Sequence, residues 1–136
     1  SSSAASDVYK RQVLVIHHHW INSGGEYIEP TDDRVKRIID SWRGVRPTMH
    51  YSISREDYLP EHSPNVRPDF QALLATGHKK AKLRAHSYMC LNRACNDWAL
   101  SFASDFDIMV EAKLKNLAQH QLYKQHKDNL LDFCHK

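Results

Sequence analysis

Three short stretches of strand character, at residues 13–16, 46–52 and 106–110, alternate with stretches of helical character. That alternation constrains the fold more than any other feature. Residues 13–16 are apolar and largely β-branched, which suits a buried strand. The chain then passes through three consecutive histidines, His17, His18 and His19, and breaks at Asn22, Ser23, Gly24 and Gly25. Val35, Ile38, Ile39 and Trp42 recur at i, i+3, i+4 and i+7, one apolar face of a helix. Thr31 is placed to cap that helix, Asp32 and Asp33 suit its positive end, and Gly44 ends it. Residues 46–52 read as a second strand, with Pro47 near its start, where proline is tolerated.

The stretch 54–85 is long, poorly periodic and carries prolines at 60, 64 and 68. A loop of that length inside a compact domain is usually functional or mobile; residues 70–74 add a short helical turn. A helix is predicted over 92–102, with Trp98 and Phe102 one turn apart. A third strand follows at 106–110, ending in Glu111, and then a polar helix over 115–133. Strands separated by helices predict parallel βα units and an α/β fold. A closed (β/α)8 barrel takes about 250 residues. Three units therefore make either a small open domain or part of a barrel. Residues 1–12 (SSSAASDVYKRQ) are small and polar, then basic, and are expected to be a non-native or disordered leader to a domain over 13–136. No internal repeat is evident.

Composition bounds the partners. Nineteen Lys and Arg against sixteen Asp and Glu give a net charge of +3, mildly basic and compatible with nucleic acid. The three cysteines, Cys90, Cys95 and Cys134, form no CxxC pair. A reducing compartment is the expectation, without a disulfide framework or a cysteine zinc site. No apolar run approaches the roughly 20 residues of a membrane span, and no signal peptide is visible, so no membrane partner is expected. Ten histidines make a metal site worth seeking.

Three polar residues stand at equivalent places. His18, His50 and Glu111 each lie at or just beyond the end of a predicted strand, and parallel α/β proteins build their sites at those ends. Imidazoles with a carboxylate suit manganese, zinc or iron. Such an ion lowers the pKa of a bound water and stabilises charge on a phosphoryl oxygen. Taken singly, each has a plainer reading: a solvated histidine run, a hydrogen-bonded strand-end histidine, and an ion-pair partner for Lys113 or Lys115. The repeated position is what favours a metal site. His86 closes the long loop after the basic run His78, Lys79, Lys80, Lys82 and Arg84. That run reads either as a solvated loop or as a phosphate-contacting segment. Trp42 and Trp98 fall on apolar helical faces and are expected in the core; Trp20 is open between core packing and base stacking.

The strings IHHHWIN, RPTMHYS, KLRAHS and FDIMVEAKLKNLA, in this order and spacing, resemble the C-terminal half of the UV damage endonuclease family. The likeness covers residues 13–118, and the strand ending in Glu followed by Ala-Lys-x-Lys-Asn-Leu-Ala is its most specific part. The resemblance implies about three βα units from the C-terminal part of a (β/α)8 TIM barrel. It implies a divalent-metal cluster, manganese first with magnesium or zinc as substitutes, that nicks DNA 5′ of UV photoproducts. Carried over by position, His18, His50 and Glu111 are metal ligands, His86 and Lys113 are catalytic, and Lys80, Lys82 and Arg84 contact DNA. The implied partner is UV-damaged double-stranded DNA. The implied setting is cytoplasmic and nucleoid-associated, or viral in origin, and the whole protein is expected to be a monomer. Two positions depart from the family pattern: Val15 stands where an acidic ligand is usual, and Thr48 where a lysine is usual. The family's earlier strands supply further ligands, so this chain alone is expected to be inactive. The competing readings are another barrel metalloenzyme, such as a sugar isomerase or epimerase, and a fragment without activity of its own.

Overall fold

The computed structural model describes residues 11–54, 62–87 and 92–135. Among them run three strands and six helices. They are β1 (Leu14–Val15), α1 (Ile16–Asn22), α2 (Asp33–Ser41), β2 (Thr48–Tyr51), α3 (Phe70–Ala75), α4 (Lys80–Leu83), α5 (Arg93–Leu100), β3 (Asp107–Val110) and α6 (Lys115–His135). The strands form one parallel sheet in the order β1-β2-β3. Val15 pairs with His50, and His50 with Met109. The chain is therefore α/β, as the alternation predicts. No described helix is long and apolar enough to cross a membrane.

Strand alternation sorts the side chains. Met49 and Tyr51 of β2 and Val110 of β3 are buried on one face. That face packs against Val35 of α2, Trp98 and Ala99 of α5, and Ala118 and Leu122 of α6 in the main core. A buried polar tie runs through it: Tyr51 Oη donates to Asn96 Oδ1 at 2.6 Å, and Asn96 Nδ2 donates to Gln125 Oε1 at 2.9 Å. Strand, α5 and α6 are thereby fixed relative to one another. The opposite face is open. Asp107 and Met109 are exposed and Thr48 and His50 half-buried, whereas parallel sheets are usually covered on both sides. A second cluster, Trp20, Ile21, Phe70 and Leu83, packs α1 against α3 and α4. Tyr27 contacts both clusters.

Several expected boundaries move, each for a local reason. The first strand ends at Val15, because Ile16 opens α1: Ile16, His17, Trp20 and Ile21 share one buried helical face, so the histidine run is helix and not loop. Asp32, not Thr31, caps α2, its side chain accepting from Arg34 N. Trp42 lies just beyond α2, half-buried, and its Nε1–H donates to Gln12 O at 2.7 Å. Arg43 and Gly44, at φ 50° and 83°, turn the chain there. Arg46 stays outside β2, its guanidinium holding the carbonyls of Ala103, Ser104 and Phe106 and the Asp107 carboxylate. Of the predicted leader, residues 1–10 lie outside the described residues, while Gln12 is tied to α2 through Ser41 and Trp42. The loop over 54–85 contains α3 and α4, and its residues 55–61 lie outside the described residues.

Candidate functional site

The ends of β2 and β3 place the central pair. Glu111 follows β3 directly, and its N–H donates to Tyr51 O at 2.7 Å, extending the ladder by one residue. By strand parity Glu111 shares the open face with Met109 and His50. Its Oε1 accepts a short hydrogen bond from His50 Nδ1. Both side chains are partly sheltered, at 27% and 31% exposure. An ionised carboxylate only accepts, so His50 carries its proton on Nδ1 and, when neutral, keeps its lone pair on Nε2.

The long loop delivers the third member. After β2 the chain continues extended, and Ser54 forms an antiparallel bridge with His86. Ser87 N donates to Ile53 O at 3.1 Å, and Lys113 N to Ser87 O at 3.0 Å. These bonds stitch 86–87 between the chain ends leaving β2 and β3. His86 Nε2 comes to 3.7 Å from Glu111 Oε2, an ion-pair distance and too long for a hydrogen bond. One carboxylate thus stands between two imidazoles. An open cleft of about 700 Å³ runs past them, lined by His50, Arg84, His86, Met109, Glu111 and Lys113. Lys80 and Lys82 are exposed on α4 and are not part of that lining, while buried Leu83 anchors the turn that carries Arg84.

The histidine run divides by its helical face. His18 is exposed and makes no hydrogen bond or ion pair with the His50–Glu111 pair. His17 is the buried one, at 3% exposure. Its Nε2 lies 3.4 Å from Ser54 Oγ. Its ring stands edge-on to His86, with centroids 5.8 Å apart, and stacks toward Trp20. Burial, with the neighbouring His86 and His18 adding to it, pushes the His17 imidazole down from 6.5 to about 4. Reading 17–20 as a strand end conceals His17. The signal that finds it is helical spacing, Ile16 and His17 with Trp20 and Ile21. Trp20 itself is core, packed edge-on against Phe70, and Trp98 is core as expected.

The donor types present, two imidazoles and a carboxylate, suit a divalent ion. Their arrangement does not. Glu111 Oε1 is taken by His50 while Oε2 only faces His86, His18 makes no contact with the pair, and among the described residues no group of three or more His, Cys, Asp or Glu is gathered to hold a metal. What the geometry does provide is a carboxylate-backed imidazole beside Arg84 and Lys113 in a solvent-open cleft. Such a unit can take up and release protons next to a bound anion. No protein-family model, curated protein or solved structure matches the chain.

Proposed function

We propose that the chain is the C-terminal part of a (β/α)8-barrel DNA-repair endonuclease, one that nicks the backbone 5′ of UV photoproducts. The observation that carries this reading is Glu111 held between His50 and His86 at the carboxyl ends of adjacent parallel strands, beside Arg84 and Lys113. The open sheet face supports the barrel part of it. Barrel strands turn one face to the helices and the other to the lumen, and here the site residues lie on the face that no described helix covers. Divalent manganese belongs to the proposal on donor chemistry and on the family resemblance, not on the present spacing of the side chains.

The chain's own residues then have distinct tasks. Arg84 and Lys113 draw a phosphodiester into the cleft. Glu111 holds His50 by Nδ1–H, leaving Nε2 to accept a proton from the attacking water. The new O–P bond forms as the bond to the 3′-oxygen breaks, and His86 returns a proton to that oxygen. Lys80 and Lys82 extend the positive path along the exposed turn. The cationic lining favours a phosphodiester over a neutral sugar.

Binding to a UV-irradiated duplex across a salt series tests the nucleic-acid half directly. Affinity is expected to fall steeply with salt, and Arg84→Ala with Lys113→Ala to reduce the log–log slope by about 1–2. Affinity that stays level from low to high salt sinks the reading.

A further inference from the structure

The outer side of β3 is met by a side chain. Asp107 N donates to Pro47 O at 2.9 Å and Glu111 N to Tyr51 O at 2.7 Å, so the backbone groups of residues 107, 109 and 111 face β2. Those of Ile108 and Val110 therefore face away from it. Among the described residues no strand lies beyond β3. Both outward groups nevertheless have a partner. Gln119, in the second turn of α6, donates from Nε2 to Ile108 O and accepts at Oε1 from Val110 N, each at 3.3 Å.

A parallel strand pairs by the same pattern. One of its residues donates its N–H to the carbonyl before the facing residue and accepts, at its own carbonyl, from the N–H after it. With Met109 as the facing residue, the Gln119 carboxamide offers that donor and that acceptor to the same two groups. It stands where one residue of a further strand pairs. Its bonds are longer than those on the β2 side, 3.3 Å against 2.7 and 2.9 Å, so a true strand is the stronger partner for this edge.

The edge lies within reach of another chain. An open groove of about 390 Å³ runs past it, lined in part by Arg46, Ile108, Gln119 and Tyr123. Gln119 itself is exposed. At the other end of the sheet, β1 runs parallel to β2 and β3, and no described strand lies on its outer side. A second copy that set its β1 beside β3 would continue the sheet with every strand parallel. Open sheet edges recruit strands in this way.

We propose that Gln119 is an edge guard: its carboxamide occupies the outer side of β3 and keeps β1 of a second copy from adding there. The inference does not rest on the proposed nuclease activity, since it needs only the sheet and α6.

Amide hydrogen exchange at Val110, followed on the whole chain at several protein concentrations, reports on this edge rather than on the open sheet face. In the unsubstituted chain Val110 is expected to be protected to the same degree at every concentration. Gln119→Ala removes the carboxamide and suits a helix. In the dilute variant Val110 is expected to exchange about fivefold faster. As concentration rises, its protection is expected to return, with the β1 amides gaining protection in step and the sedimentation coefficient increasing. Dilute Gln119→Ala that exchanges Val110 as slowly as the unsubstituted chain overturns the proposal, because the carboxamide then holds nothing. Fast exchange that no concentration restores overturns it too, because the edge then recruits no strand. Recovery at Val110 without any at β1 overturns the choice of a second copy's β1. Where Gln119→Ala does not fold, the unsubstituted chain decides: protection at Val110 that is absent when dilute, or that rises with concentration, overturns the proposal.

Discussion

His17 and His18 differ by one position and lead opposite lives, because α1 turns by about 100° per residue. The buried one has consequences for stability. Its folded pKa lies near 4 against 6.5 for the ordinary imidazole, so the unfolded chain binds the extra proton first. Stability contributed by neutral His17 is fully present above about pH 6.5 and declines as pH falls toward 4. A depression of this size corresponds to roughly 3 kcal/mol. Urea unfolding at pH 7.5, 5.5 and 4.5 should show that decline, and His17→Leu should flatten it. Equal pH slopes in the two chains would remove His17 from the account. Cys95 makes a second residue-level case. Burial pushes its thiol up to about 12, and the thiolate is the reactive form. Native chain at pH 8 should leave Cys95 unlabelled by iodoacetamide, as peptide mass mapping reads it, and urea should expose it. Rapid native labelling would contradict the packing of α5.

At the scale of elements, strand parity carried most of the information in the sequence. The three strand-like runs form parallel strands in sequential order, and Glu111 and His50 meet because both lie near the carboxyl ends of adjacent strands on one face. His86 lies beside Glu111, whereas its place after the basic run favours a solvated loop when the residues are read alone. Spacing along the chain could not give the reason, which is a set of long-range bonds from 86–87 to Ile53, Ser54 and Lys113. The strand-end position singles out His18 because 16–22 carries no start signal for a helix: Val15 offers no side-chain cap. Where a cap exists, the boundary is legible. Asn92 Oδ1 accepts from Cys95 N at 2.8 Å at the head of α5, and Asn92 Nδ2 donates to Val66 O at 2.9 Å. Removing both bonds by Asn92→Ala should cost about 1–2 kcal/mol. A denaturation midpoint unchanged by that substitution would show that α5 is held by its packing alone.

At the scale of the molecule, the sheet face left uncovered by the described residues is the dominant fact. Val13, Met109 and Leu114 are 50%, 52% and 44% exposed, and among the described residues β1 and β3 are both edge strands with no further strand beside them, the Gln119 side chain bonding Ile108 O and Val110 N along the outer side of β3. Polar groups on a sheet edge and apolar side chains on an open face both favour association with another chain. In the proposed barrel, further strands would enclose this surface; without them, a second copy is the available cover. The chain alone should therefore self-associate with rising concentration in sedimentation velocity. Met109→Lys puts a charge in the middle of the open face, next to His50 in register. Half-burying a methionine is worth about 1 kcal/mol, and desolvating a lysine is unfavourable. The substitution should weaken association by on the order of tenfold and leave the melting temperature nearly unchanged, because Met109 makes no part of the core. A chain that stays monomeric at every concentration would mean that the open face is tolerated in water without further strands to cover it.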